Sequence, residues 1–261
     1  MARPIALITG ASSGIGADLA REAAKDGHDV VLSARRVEPM RALARELESY
    51  GAAATILAAD LSKPEGPAEL LRAIDQRGLA IDLLINNAGL GANGPFAESD
   101  LRRVGEMLQV NIVALTELTR LVLPAMVARK RGRVMLLAST ASFQPGPLMA
   151  VYCATKAYVL SFGEAISYEL RNSGVTVTTV CPGATATEFS RVAGTENIGL
   201  HKSAMSSVMG SAEVARIGYQ GTKDGRRVVI TGLRNRVLAS VSRVSPHAMV
   251  LPMVNSMMSS H

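Results

Sequence analysis

The apolar positions of the chain switch repeatedly between two spacings. Short aliphatic and β-branched runs at 5–9, 30–33, 53–58, 83–86, 133–139, 175–180 and 227–230 read as buried strands. Longer stretches with helical spacing lie between them, clearest at 15–26, 38–49, 67–76, 101–128, 154–172 and 212–221. Gly27, Gly51, Gly132 and Gly174 punctuate the junctions, as expected near helix ends. Such alternation predicts an α/β fold with a doubly wound, mainly parallel seven-stranded sheet, helices on both faces and right-handed crossovers. No fixed-period repeat and no Pro/Ser-rich linker interrupts the pattern. The expectation is therefore one domain over 1–232, followed by a helical C-terminal extension over 233–261 that packs on the body or forms an interface.

Composition narrows the function classes. Apolar residues make up 48% of the 261, enough for a sizeable core, and charged residues only 19%, too few for a disordered chain. The formal charge of +6 suits nucleic acid, a membrane surface or an anionic ligand. The arginines are spread along the chain, and aromatics are 3% with no Trp, so a nucleic-acid reader with stacking platforms is not expected. Cys153 and Cys181 form no Cys-x-x-Cys or Cys/His pairing, so neither a metal site nor a disulfide framework is predicted, and reduced thiols in the cytoplasm are the default. Met1-Ala2-Arg3-Pro4 leads straight into the first strand without a secretory h-region, and no apolar run was expected to reach the ~18 residues of a membrane span.

The first strand runs into Gly10-Ala11-Ser12-Ser13-Gly14-Ile15-Gly16 and then an amphipathic helix. Glycines in a strand–turn–helix context let the backbone approach a pyrophosphate, and the helix N-terminus offers it free N–H groups. A glycine-rich turn without a ligand shows the same local pattern. At the end of the second strand a carboxylate would grip ribose hydroxyls, whereas arginine accepts a 2′-phosphate. Here the strand ends in Ala34-Arg35-Arg36 with no carboxylate from Ser33 to Val37, which favours NADP over NAD. The alternative is a solvated pair of arginines at a helix start.

The strand at 133–139 ends in Ser139, where open α/β sheets place ligands. Tyr152 and Lys156 lie four apart, on one face of the next helix. A free phenol at about pH 10 is a poor acid–base group near neutrality, and an adjacent ammonium and a helix N-terminus would lower it. In isolation, such a pair is more often a half-buried aromatic beside a surface lysine.

Together these motifs resemble the short-chain dehydrogenase/reductase family, in its compact single-domain, NADP-dependent subgroup with a Rossmann-type fold, over about residues 1–232. The resemblance assigns Thr9 to Gly16 to the coenzyme turn, with Gly10, Ser12, Ser13, Gly14, Ile15 and Gly16 against the cofactor. It implies that Asp60, with Leu61 beside it, binds adenine, and that Asn86-Asn87-Ala88-Gly89 closes the fourth strand along the adenosine side. Asn111, Ser139, Tyr152 and Lys156 match the catalytic tetrad, and the step of 13 residues from Ser139 to Tyr152 fits. Pro182-Gly183, with Thr185 and Thr187 behind it, matches the segment that holds the nicotinamide carboxamide. Ser13 departs from the commonest NADP pattern, in which the site carries Arg or Lys, so phosphate recognition falls to Arg35 and Arg36 with serine hydroxyls helping.

The implied activity is hydride transfer between NADP(H) and a carbonyl or secondary alcohol of a small, apolar substrate. Tyr152 is the acid–base, Lys156 lowers its pKa and holds the nicotinamide ribose, Ser139 orients the oxygen, and Asn111 holds a relay water. An idle dinucleotide-binding redox sensor is the alternative, against which the retained Tyr/Lys pair counts.

The resemblance makes 184–209 a substrate lid, with Gly194, Asn197 and Gly199 giving it mobility and Phe189, Val192, Met205, Val208 and Met209 a hydrophobic pocket. Residues 143–149 are expected on the pocket's other side. The tail sets Arg234, Arg236 and Arg243 beside Val237, Leu238, Val241 and Val244, a pattern compatible with packing, with a subunit interface or with peripheral membrane contact. A homodimer or homotetramer is expected through the helices at 101–128 and 154–172.

Overall fold

The computed structural model describes residues 3–194 and 208–259. Seven strands, β1 (Ile5–Thr9), β2 (Asp29–Ala34), β3 (Ala54–Ala58), β4 (Ile81–Asn86), β5 (Gly132–Leu137), β6 (Val175–Cys181) and β9 (Val228–Ile230), form one sheet in the order β3-β2-β1-β4-β5-β6-β9. Every pairing in it is parallel, stricter than the mainly parallel sheet expected.

Both faces of the sheet are covered, which is why the strands read as continuous apolar runs rather than alternating ones. The two-residue period of a strand sends Ala6 and Ile8 to one face and Leu7 to the other. Ala6 and Ile8 share a core with Leu19 and Ala23 of α1 (Gly14–Lys25), Met40 and Leu43 of α2 (Val37–Leu47), and Ala215 and Tyr219 of α8 (Ser211–Lys223). Leu7 joins the opposite core, with Leu70 and Ile74 of α3 (Gly66–Asp75) and the long helical stretch at 101–128. The chain leaves β1 toward β2 and β3, then returns to β4 on the other side of β1. The crevice at this reversal of direction is where an open α/β sheet binds ligands.

The stretch at 101–128 is not one regular helix. It comprises α4 (Leu101–Leu108), a π-helical turn (Gln109–Ala114) and α5 (Leu115–Ala128). Extra residues in a helical turn re-aim a side chain, and here the turn carries Asn111. By length and composition Leu101–Ala128 is long and apolar enough to cross a membrane, with a mean hydropathy of 1.5, contrary to the expectation that no run reaches that length. Its Leu115, Leu118, Val122 and Met126 are core residues beneath the sheet.

Helix α6 (Ala150–Glu169) starts four residues before the expected 154, so Tyr152 sits in its first turn. The segment at 184–209, expected as a substrate lid, contains β7 (Thr185–Ala186) and α7 (Glu188–Val192), and β8 (Met209–Gly210) pairs with β7. Asn197, Gly199 and Met205 of the expected lid lie outside the described residues. After β9 the chain forms α9 (Leu233–Val244) and α10 (His247–Met258). Val250, Val254 and Met258 of α10 pack on Met149 and Cys153 at the start of α6, so the tail bears on the first turn of that helix.

Candidate active site

The turn after β1 is closed by contacts that admit no side chain. A Cβ on Gly16 would lie 2.3 Å from the Gly10 carbonyl oxygen and 2.4 Å from Asn87 Nδ2. Gly10 has φ +67° and Gly14 φ +54°, left-handed values that favour glycine. Asn87 Nδ2 donates to the carbonyls of Thr9 (2.9 Å) and Gly10 (3.2 Å), and Thr9 Oγ1 accepts from the amides of Asn87 and Ala88, both at 3.1 Å. Asn86 faces the other way and donates to Thr119 Oγ1 at 2.9 Å. The start of α1 thus borders a shallow, side-chain-free cradle of the shape a pyrophosphate needs.

Along this cradle the two arginines diverge. Arg36 Nη2 donates to Ser13 Oγ (3.0 Å), Ser12 Oγ (3.3 Å) and Glu188 Oε2 (2.7 Å). Arg35 lies on the side of Asp60, whose Oδ1 accepts from the amide (3.1 Å) and hydroxyl (2.7 Å) of Ser62. Partial burial pushes the Asp60 carboxyl up, but the Ser62 hydrogen bonds and the charges of Arg35 and Lys63 outweigh it and hold the group below the usual range. Leu61 is buried beside it.

The second half of the site surrounds the end of β5. Ser139 is extended and caps a short 3-10 turn, Thr140–Phe143, its Oγ accepting from Ala141 N at 3.1 Å and donating to the Pro182 carbonyl at 3.4 Å. Lys156 is 4% exposed, donates to the Leu137 carbonyl at 2.8 Å, and holds its Nζ 5.8 Å from the centre of the Tyr152 ring. Thr185 Oγ1 donates to the Gly183 carbonyl at 2.9 Å, and Thr187 packs over Gly14, so Pro182, Gly183, Thr185 and Thr187 all reach the same crevice.

Asn111 is buried in the π-helical turn. Its amide is spent on protein groups: Oδ1 accepts from Leu90 N (2.8 Å), and Nδ2 donates to the Leu90 carbonyl (2.9 Å) and Thr155 Oγ1 (3.0 Å). Asn111 is thereby a brace between the strand end after β4 and α6.

Burial sets the protonation of the pair. It pushes the Tyr152 phenol up to about 12, the Ser139 hydroxyl pulling it partly back. It pushes the Lys156 ammonium down to about 8. Spacing put the two groups together, and desolvation is the largest effect on each.

One cavity of about 660 Å³ joins the two halves. Gly10, Ser12, Ser13, Gly14, Ile15, Gly16, Arg35, Arg36, Asp60, Leu61, Asn87, Ala88 and Gly89 border it at one end, and Ser139, Tyr152, Lys156 and Pro182 nearer its middle. Beyond Tyr152 the lining turns apolar, with Met149, Phe189, Val192, Val250, Met253 and Met258. Of the expected lid residues, Phe189 and Val192 line the cavity, whereas Met209 is buried elsewhere, against Gly232, and Val208 is exposed. On the opposite wall Gln144 and Met149 line it, and Phe143 turns into the core. Glu188 was not singled out as a site residue. Glu188 meets Arg36 across 152 positions, a separation that leaves no local pattern to read.

The profile of the short chain dehydrogenase family matches residues 4–197. A very-long-chain 3-oxoacyl-CoA reductase of Anas platyrhynchos is 34% identical over 192 residues, covering 72% of this chain and 61% of that protein, so the chain spans less than two thirds of it. The 17-beta-hydroxysteroid dehydrogenase type 3 of Mus musculus is 30% identical over 89% of this chain and 75% of its own. Among solved structures, a short-chain dehydrogenase from Sphingobium yanoikuyae in complex with NADPH superposes with a TM-score of 0.81 at 34% identity, covering 91% of this chain and 93% of that one. The bulky-bulky ketone specific alcohol dehydrogenase of Comamonas testosteroni gives a TM-score of 0.77 at 30% identity, covering 92% of each.

The Lys156 environment has a measurable consequence. Its folded pKa, about 8, lies below the ordinary 10.5, so between those values the unfolded chain binds more protons and folding gains stability as pH rises. The stability of the wild type relative to Lys156→Met, read by denaturant titration without cofactor, is expected to increase from pH 8 to pH 10. A difference that stays flat or falls over that window would show that the ammonium is not desolvated.

Proposed function

Because the chain belongs to the short-chain dehydrogenase family, we propose that it is an NADP(H)-dependent oxidoreductase that interconverts a carbonyl and a secondary alcohol on an apolar substrate. The observation that carries this reading is the meeting of Ser139, Tyr152 and Lys156 midway along one cavity, between a glycine cradle and an apolar chamber. The cradle fits a dinucleotide because a Cβ at Gly16 would close it, and Arg35, Arg36, Ser12 and Ser13 supply donors for a 2′-phosphate. When bound, the nicotinamide supplies or accepts the hydride.

The side chains do the remaining work. Ser139 holds the substrate oxygen beside the phenol. Tyr152, protonated at neutral pH, gives its proton to that oxygen in reduction and takes it back in oxidation. Lys156 is fixed by the Leu137 carbonyl and directs its remaining protons toward the ribose side and the phenol. Asn111 positions the catalytic helix against Leu90. The apolar chamber excludes water and suits a bulky, uncharged substrate group. Cys153 and Cys181 are buried and not joined in a disulfide, which agrees with a cytoplasmic setting.

The test is NADPH oxidation with a panel of bulky apolar ketones. Tyr152→Phe is expected to lower turnover by about 10²–10⁴-fold while NADPH still binds. Turnover close to wild type would overturn the assignment of Tyr152.

The same helices that carry the site present apolar surface outward. Leu108, Leu121, Val127, Tyr158 and Tyr168 are exposed on α4, α5 and α6. A homodimer or homotetramer through these helices is part of this reading, and light scattering at micromolar concentration is expected to give a multiple of the 27.4 kDa chain mass. A monomeric mass would count against it.

The tail walls the apolar chamber. Deleting 246–261 removes Val250, Met253, Val254 and Met258 from that wall and touches nothing at the glycine cradle. The KM for bulky ketones is expected to change, with the NADPH dissociation constant within about threefold of wild type. A second reading is favoured by the exposed Leu233, Val237 and Val241 beside Arg234 and Arg236, a basic apolar face suited to a membrane surface. Unchanged kinetics on that deletion, with binding of the full chain to anionic liposomes that Arg234→Glu and Arg236→Glu abolish, would support that reading over the first.

A further inference from the structure

Glu188 reaches the phosphate end of the cavity from a distant part of the chain. Arg36 Nη2 is met by three oxygens at once, Ser12 Oγ, Ser13 Oγ and Glu188 Oε2, at 3.3, 3.0 and 2.7 Å. Three oxygens gathered on one edge of a guanidinium are what a phosphate group offers an arginine. Two of the three belong to the turn that the cofactor reading assigns to the phosphates. The third is a carboxylate brought from 152 positions away.

Glu188 is the first residue of α7, and its neighbours fix that short helix over the cavity. Thr187, just before it, packs on Gly14, where an added Cβ would come within 3.0 Å of Thr187 Cγ2. Phe189, just after it, lies with its ring centre 5.5 Å from that of Tyr152. Phe189 also fills the space above Gly91, where a Cβ would come within 2.7 Å of it. Arg103 donates to the carbonyls of Gly91 (3.2 Å) and Val192 (3.5 Å), tying down the far end of α7. One end of α7 is thus latched to Arg36, while its middle rests on the catalytic tyrosine.

We infer that Glu188 is a specificity-determining residue that holds the 2′-phosphate place on Arg36 and must be displaced when NADPH binds. The inference rests on the NADP reading above. It follows from like charge. The carboxylate is ionised at neutral pH, since the Arg36 and Ser13 hydrogen bonds hold it below the usual range. A phosphate carrying further negative charge cannot share Arg36 with it without repulsion, and its additional oxygens let it take over the Arg36 and serine donors. NADH lacks that phosphate, so it neither meets the repulsion nor releases the latch. Glu188 therefore taxes NADPH selectively, and the release of α7 by the phosphate loosens Phe189 from Tyr152 before the substrate enters.

The experiment is a comparison of dissociation constants for NADPH and NADH, read from the fluorescence of the reduced nicotinamide, in wild type, Glu188→Gln, Arg36→Ala and the double variant. The glutamine is isosteric and the site exposed, so the fold is not at stake. Exposed ion pairs act weakly, so Glu188→Gln is expected to tighten NADPH by about two- to fivefold and to leave NADH within about 1.5-fold. In the Arg36→Ala background the same change is expected to have less effect, because no guanidinium remains to be contested. The NADPH gain should also shrink at high salt.

If the wild type prefers NADPH and Arg36→Ala removes that preference, yet Glu188→Gln leaves both constants unchanged, the latch is overturned and the NADP reading stands. If Glu188→Gln weakens NADPH, Glu188 orients Arg36 for the phosphate rather than competing with it, and the inference is again overturned. If the wild type binds both cofactors equally and Arg36→Ala changes neither, the NADP reading itself has failed.

Discussion

The Asn87 side chain, bonded across the crevice to the carbonyls of Thr9 and Gly10, is the contact on which the rest of the site depends. It ties the end of β4 to the turn after β1, where the chain reverses direction across the sheet. Two such bonds are together worth only about 1–3 kcal/mol net, so their importance lies in position rather than energy. They draw the two strand ends so close that residue 16 has no room for a Cβ, and the absence of side chains leaves the backbone open to a ligand. From the same anchor the chain runs on through Gly89, where an added Cβ would lie 3.5 Å from both Asn111 Oδ1 and Lys156 Nζ. Leu90 then takes both ends of the Asn111 amide, and Asn111 reaches Thr155 on the catalytic helix. Residues 87–90 therefore connect the cradle to the Tyr/Lys pair without a flexible link.

Enclosure of that pair is a second constraint. A buried ammonium moved from 10.5 to about 8 carries a desolvation cost of roughly 3 kcal/mol in its charged form, even with its bond to Leu137. A phenol pushed to about 12 is a proton donor first. Both shifts share one cause, the closure of the cavity by β5, the turn after Ser139 and α7. The proposed chemistry uses this state directly in the reductive direction, where a neutral phenol must meet a carbonyl oxygen. Oxidation asks for the phenolate, which in this enclosure depends on the positive charge of Lys156.

The strands were legible because each is a short apolar run flanked by glycine or polar residues, and β1 falls on 5–9 as read. The other sheet strands shift by a residue or two at their ends, where hydrogen bonding rather than hydropathy decides. The start of α6 was displaced because nothing local marks it: Met149 occupies the cap without a side-chain bond, and Leu148 is turned to φ +63° with its carbonyl held by Gly94 N. The π-helical turn was hidden for the same reason, since it answers the tertiary bonds of Asn111 to Leu90. Apart from Thr9, Ala11, Asn86 and Asn111, the residues singled out by motif line one cavity, because the motifs sit at strand ends on one edge of the sheet. Spacing could place Tyr152 and Lys156 on one face, but it carried no information on how dry that face is. The burial, and with it the direction of the tyrosine shift, belongs to the assembled fold.

The tail shows how far the site extends beyond those motifs. Met149 caps the catalytic helix three residues before Tyr152 and is itself packed by Val250, Val254 and Met258. Cys153, next to Tyr152, lies in the same cluster, and its thiol is pushed up to about 11 by burial there. A shift of α10 must therefore be felt at the first turn of α6, because close-packed interiors transmit displacement rather than absorb it. Phe189 presses on Tyr152 from the opposite side, carried by α7. The tyrosine is thus held between an element that answers to the phosphate end of the cavity and one that answers to the apolar end. Occupancy at either end can reach the proposed proton donor through a single layer of side chains.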